Sequence, residues 1–151
     1  MQSENIKVIE DLIETLEDGR KGFEKAAERL EKDGRADIAG RMRELSQERA
    51  RFSQELRELA VSEGVEIRED GSMAGTLHRG WITLAEALTG DDPSAVLSAA
   101  ESGEDHAIAE FEKALTSSDL GAAVSAVVAR QAAEVKAAHD EVRTFRDRFA
   151  A

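Results

Sequence analysis

Four long stretches of this chain place apolar residues at alternating spacings of three and four, and this pattern limits the possible folds more than any other feature. The spacing puts the apolar side chains of each stretch on one face of an α-helix. In the first stretch that face consists of Ile6, Ile9, Ile13, Leu16, Phe23, Ala27 and Leu30. Since such a face must be buried against another element, the pattern predicts an all-α fold in which the four helices pack together.

Local signals in the sequence set the ends of these helices. The predicted helices span roughly residues 3–32, 36–63, 93–115 and 120–149. Gly34 and Gly64 follow the first two as C-terminal stops, and Pro93 opens the third at a position where its missing N–H costs nothing. A single proline, no tyrosine and abundant Ala, Glu, Leu, Arg and Lys agree with long helices. We therefore expect two helical hairpins within one domain over residues 1–151.

The segment between the two hairpins is too long for a tight turn and carries a further apolar pattern. That pattern predicts a helix from about Ser72 to Leu88. A connection of this kind can carry the chain from one end of a bundle to the other, so that the second and third long helices run parallel. The expected architecture is a ferritin-like four-helix bundle with a long helical crossover.

Charge and cysteine content exclude several classes of function. The net charge is −12, with 32 acidic against 20 basic residues, and such a field repels nucleic acid and anionic membranes. The chain has no cysteine, which removes disulfides and thiol chemistry and agrees with a reducing compartment. Its apolar runs are too short to span a bilayer, and its N-terminus lacks a signal-peptide pattern. We expect a cytoplasmic protein with neither nucleic acid nor membrane as a partner.

Each of the four long helices has polar side chains near the middle of its apolar face. They are Arg20 with Glu24, Glu48 with Arg49, Glu101 with Glu104, and Gln131 with His139. With a crossover between the hairpins these positions fall at similar heights, so that the side chains can meet inside the bundle. We call these eight residues the mid-bundle belt.

Two interpretations of the mid-bundle belt stay open at this point. Carboxylates and an imidazole that converge from four helices can hold two iron or two manganese ions. The ligands in that interpretation are Glu24, Glu48, Glu104 and His139. In the other interpretation Arg20 and Arg49 neutralise the glutamates and Gln131 completes the hydrogen bonds of an internal ion-pair network. Arginines on the buried face favour the network, because they are poor neighbours for a metal ion.

Three glycines inside the predicted helices indicate close packing. Gly19, Gly22 and Gly103 each cost about 1 kcal/mol relative to alanine in a helix. Their presence predicts that the crossover or a partner chain approaches the helix backbone there. We expect Trp81 to dock the crossover onto the bundle with His78 at its rim. The alternative is that these two side chains close a small pocket or cap one end of the mid-bundle belt.

Five blocks of the sequence, in order, resemble a bacterial family of four-helix-bundle proteins of unknown function within the ferritin-like superfamily. They are IEDLIETLEDGRKGFEKAAE (9–28), LSQERARFSQEL (45–56), SMAGTLHRGWITLAEALTG (72–90), ESGEDHAIAEFEKAL (101–115) and RQAAEVKAAHDEVR (130–143). The resemblance implies a ferritin-like bundle and, by analogy only, a stress-related role. Metal-binding relatives suggest the same four ligand positions as above, whereas Arg51 and Lys136 depart from their pattern.

The functional expectation follows from these observations. The sequence contains no phosphate-binding loop and no nucleophile elbow, so we assign no catalytic residue. The first hypothesis is a non-catalytic or regulatory bundle that acts through a homo-oligomer, such as a dimer, or through a protein partner. The alternative is a metal-binding redox or stress-response protein that uses iron or manganese.

Overall fold

The computed structural model describes residues 3–67, 79–117 and 120–150, and every regular element in these ranges is a helix. The helices are α1 (Ser3–Lys32), α2 (Ala36–Ser62), α3 (Ile82–Ala87), α4 (Pro93–Leu115) and α5 (Ala122–Ala150), and a 3-10 turn over Arg79–Trp81 precedes α3. The predicted all-α class is confirmed. Residues 72–78 of the predicted crossover helix, His78 among them, lie outside the described residues, and its described part consists of the 3-10 turn, α3 and Leu88.

The helix ends lie where the local signals predicted them. Gly34 and Gly64 have positive φ angles of 80° and 76°, a conformation that glycine adopts without steric cost. The chain then closes the end of α2 by a hydrogen bond from the N–H of Val65 to the carbonyl of Ala60 at 2.9 Å. At the start of α4, Asp92 Oδ1 accepts a hydrogen bond from the N–H of Ser94 at 3.0 Å, with Pro93 at the first helical position.

Two hydrophobic clusters show how the long helices run relative to one another. One cluster combines the second halves of α1 and α5 with the first halves of α2 and α4, and includes Phe23 and Leu97. The other combines the opposite halves of the same four helices, and includes Ile9 and Phe111. Consequently α2 and α4 run parallel to each other and antiparallel to α1 and α5. None of the described helices combines the length and apolar composition that a bilayer span requires.

The crossover is docked by Trp81, as the sequence predicted. Its side chain is 2% exposed, and its ring packs edge-on against Phe23 with centroids 5.0 Å apart. A Cβ atom on either Gly22 or Gly103 would lie 2.2 Å from an atom of this ring, so only glycine fits at both positions. The prediction that helix glycines mark a close approach is confirmed here, and the approaching element is the crossover.

Candidate functional site

The centre of the bundle holds a buried ion pair between Arg49 of α2 and Glu104 of α4. Arg49 donates from Nη1 and Nη2 to Glu104 Oε1 and Oε2 at 2.6 and 2.5 Å, and the two side chains are 1% and 0% exposed. Both hydrogen bonds of this fork are charge-assisted, which is the strongest geometry available to such a pair. The guanidinium also lies over the ring of Phe23, 5.3 Å from its centroid.

Gly19 of α1 lies in contact with the arginine side chain. A Cβ atom on Gly19 would lie 3.5 Å from Cγ and Nη1 of Arg49, which is ordinary van der Waals contact. The arginine side chain therefore lies against the backbone of α1, where a longer residue would compete with it for space. Among the described residues, the Nε–H of Arg49 has no acceptor, so the pair is strong but incompletely satisfied.

A second charged cluster lies between α4 and α5. Glu101 contacts Arg146, and its Oε2 lies 3.4 Å from Arg143 Nε. His139, of which 7% is exposed, places Nε2 at 2.7 Å from Asp105 Oδ1 and at 4.0 Å from Glu101 Oε2. Glu101 and Asp105 are one helical turn apart on α4, as are His139 and Arg143 on α5, so the two helices face each other with opposite charges.

Asp140 extends this cluster towards solvent. The hydrogen bonds that its carboxylate accepts from Lys136 and His139 lower the pKa of Asp140 to about 2, mainly through Lys136 at 2.8 and 2.9 Å. His139 Nδ1 lies 3.0 Å from Asp140 Oδ1. The imidazole therefore has a carboxylate within hydrogen-bonding distance of each ring nitrogen.

Polar contacts join α2 to α5 on another side of the bundle. Gln131 is fully buried and donates from Nε2 to the carbonyl of Phe52 at 3.2 Å and to Glu55 Oε1 at 2.9 Å. Glu55 also contacts Arg130. About three helical turns away, Arg41 Nε lies 2.8 Å from Glu141 Oε2.

Glu48 lies between these contacts and is only partly buried. Burial raises the pKa of Glu48, Arg49 lowers it, and the negative charge of Glu134 on α5 raises it further. The net direction is upwards, so the folded protein disfavours the charged form of this carboxylate.

Arg20 and Glu24 lie on the outer side of α1. The Glu24 side chain is 57% exposed, and its Oε2 lies 3.7 Å from Arg20 Nη1. Arg20 Nε lies 3.3 Å from Glu17 Oε1. The residue that fills this level of the buried face is Gly19 rather than Arg20.

The mid-bundle belt thus divides into four separate groups. Arg49 pairs with Glu104 in the interior, Glu101 and His139 meet between α4 and α5, and Glu48 and Gln131 lie between α2 and α5. The half-buried Arg20 and the exposed Glu24 form the fourth group on α1. In the described ranges, no group of three or more His, Asp or Glu side chains is arranged to hold a metal ion. The four residues suggested as metal ligands are not gathered at one point.

Sequence reasoning missed three members of the cluster between α4 and α5. Asp105, Arg143 and Arg146 contact His139 or Glu101, although none of them interrupts an apolar face. The available signal was their spacing, since charged residues that recur every three or four positions share one side of a helix.

Comparison with known proteins adds one finding to this geometry. The family model described as Domain of unknown function (DUF2383) matches residues 4–117. The match includes α1 through α4 and ends before α5. No curated protein and no solved structure matches the chain.

Proposed function

The chain belongs to the DUF2383 family, a domain of unknown function, and we propose that it is a non-catalytic or regulatory helical bundle that acts by association with a second copy or with a protein partner. The observation that carries this proposal is the outer face of α5. There, small apolar side chains stand where a solvent-facing helix in so charged a chain would carry charges.

Five exposed alanines form this outer face at spacings of three and four. They are Ala122, Ala126, Ala129, Ala133 and Ala137, and we call them the α5 alanine face. The opposite side of α5 is buried and carries Val128 and Val135. Since the distance between packed helices depends on the side chains at the contact, alanines allow another helix to approach closely.

The state of the buried carboxylates supports a non-catalytic role. Glu104 is held by both terminal nitrogens of Arg49, and Glu101 contacts two arginines. A carboxylate whose oxygens already accept charge-assisted hydrogen bonds from arginine has fewer lone pairs free to coordinate a metal ion. These groups therefore suit the fixing of helix register better than metal coordination.

We also propose that the bundle belongs to the ferritin-like superfamily. The support is topological: α2 and α4 run parallel and are joined by a connection longer than a hairpin turn. The metal-binding alternative draws on the same likeness and assigns Glu24, Glu48, Glu104 and His139 to iron or manganese. It requires Glu104 to exchange Arg49 for a metal ion, and the metal analysis described in the Discussion tests it.

Sedimentation equilibrium over a range of protein concentrations tests the proposal. We expect a dimer or larger species that Ala133→Arg weakens, because a long charged side chain would prevent close approach at the α5 alanine face. Ala109→Arg is the matched control, since Ala109 is also exposed in mid-helix, but on α4. Equal association of the two variants would contradict an interface on α5.

A protein partner is tested by a photo-crosslinking amino acid placed at position 133 or 109 in cells. One discrete adduct from position 133 and none from position 109 would support a partner at the α5 alanine face. A monomer at every concentration together with no adduct would refute the proposed function.

A further inference from the structure

The described part of the crossover is fixed to the bundle by few buried side chains. Among residues 80 to 90, whose burial the structure describes, only Trp81 and Leu84 are buried, whereas Ile82 is 62% exposed. Beyond α3, Arg29 of α1 donates to the carbonyl of Leu88 at 2.5 Å. The attachment thus consists of the buried Trp81 and Leu84, of Ala87 and Leu88, which are partly buried against the core, and of hydrogen bonds from Arg29 to the carbonyls of Leu88 and Gly90.

The site that receives Trp81 is a slot made by the absence of side chains. Gly22 of α1 and Gly103 of α4 form its two walls, and the ring atoms of Trp81 lie 2.2 Å from where a Cβ would stand on either glycine. We call this the glycine slot. The backbone of the turn also packs closely against α4. A Cβ on Gly80 would lie 2.5 Å from the Cβ of His106 and 3.0 Å from the carbonyl oxygen of Ser102.

The glycine slot lies next to the buried ion pair. The ring of Phe23 contacts Trp81 and also lies under the guanidinium of Arg49. The partner of that arginine, Glu104, directly follows Gly103 in α4. Trp81 is therefore linked to the buried ion pair through Phe23.

The four long helices keep a core of their own without the turn. Each of them contributes to both hydrophobic clusters, and the cluster that contains Ile9 and Phe111 includes no residue of the 3-10 turn or α3. Segments that bury few side chains open at lower free energy than the core they cover. Loss of the Trp81 contact would leave α1, α2, α4 and α5 packed.

We propose that Trp81 is a releasable latch: the turn Arg79–Trp81 leaves the glycine slot as a unit while the four long helices stay folded. Release opens the groove between α1 and α4 beside the Arg49–Glu104 pair. The latch is a conformational switch in the fold and does not depend on association through the α5 alanine face.

The unmodified chain carries its own reporter for this switch. It contains one tryptophan and no tyrosine, so that its indole emission reports on Trp81 alone. In a urea titration we expect this emission to shift to the red at a lower urea concentration than the loss of helical circular dichroism. Coincident transitions would overturn the latch, because docking and helix packing would then be one cooperative unit.

Glycine variants test the slot in native buffer. Gly22→Ala and Gly103→Ala place a methyl group on the indole, so we expect red-shifted emission and stronger acrylamide quenching with unchanged helical circular dichroism. Gly40→Ala is the matched control, because Gly40 lies inside α2 and nothing lies within 4 Å of its added Cβ. Full protection of Trp81 in both slot variants, or loss of helicity in step with its exposure, would overturn the proposal.

Discussion

Glu104→Gln is the substitution whose cost the structure determines most closely. Glutamine has nearly the same volume as glutamate, so the change leaves no cavity and removes only the negative charge opposite Arg49. Because the two side chains are 1% and 0% exposed, water cannot reach the stranded guanidinium. Removing one partner of a fully buried pair costs about 3 to 5 kcal/mol.

This cost is large for a chain of 151 residues. At about 2 to 4 °C per kcal/mol for a domain of this size, the melting temperature should fall by about 6 to 20 °C. Urea unfolding followed by circular dichroism measures the loss directly, and an unchanged m-value would show that the denatured state is not responsible.

Two comparisons isolate the electrostatic origin of that loss. Glu31→Gln removes an exposed glutamate from a contact with Arg43 of α2, where the side chains are 56% and 43% exposed, and should cost about 0 to 1 kcal/mol. Arg49→Met combined with Glu104→Leu removes both buried charges and should restore most of the stability. A loss for Glu104→Gln as small as that for Glu31→Gln would refute the reasoning.

Four further measurements test other parts of the site. Burial raises the pKa of Glu48 above its ordinary value of 4.5. The free energy of unfolding of the wild type, relative to that of Glu48→Gln, should therefore fall as the pH rises above 4.5 through the pKa of the folded state. Equal pH dependence of stability in the two proteins would contradict this. NMR titration should give the carboxyl of Asp140 a pKa of about 2 that rises towards 3.8 in Lys136→Met, because Lys136 is the main cause of the shift. Elemental analysis of untagged protein after incubation with ferrous iron or manganese should find no stoichiometric metal if the belt is an ion-pair network, whereas one or two equivalents lost in Glu104→Ala would establish the metal alternative. Trp81→Ala and Glu104→Gln should be non-additive by about 0.5 to 3 kcal/mol in urea unfolding, since both side chains depend on Phe23; strict additivity would show that they are uncoupled.

The helix ends could be predicted because their signals are local. Gly34, Gly64 and Pro93 act through their own backbone preferences, which do not depend on the rest of the fold. The position of the crossover could also be inferred, because glycine destabilises the interior of a helix. Its presence there indicates that another element packs closely against the helix backbone. Trp81 in the glycine slot is that contact.

The composition of the mid-bundle belt could not be predicted, because small residues form part of the buried faces. The buried face of α4 predicted from its large apolar residues includes Glu101 and Leu115. The face that is buried in the structure carries Ala100, Gly103 and Ala107 instead. Leu115 is 43% exposed as a result. A rotation of about 100° per residue separates neighbouring positions on a helix, so an error of one residue moves a side chain from the interior to the edge.

The same error explains α1, where Arg20 interrupts the apolar pattern but Gly19 occupies the buried face. Gly22 and Gly103 leave room for Trp81, whose ring fills the space that a Cβ would need, and Gly19 lies in contact with Arg49. Glycine at these three positions costs helix stability, and in each case a long side chain from another element packs against it. In the interior of this bundle, large side chains of one element therefore pack against glycines of another. Each glycine and the large side chain that packs against it lie far apart in sequence. The apolar periodicity of a single helix therefore does not reveal which residues pair in this way.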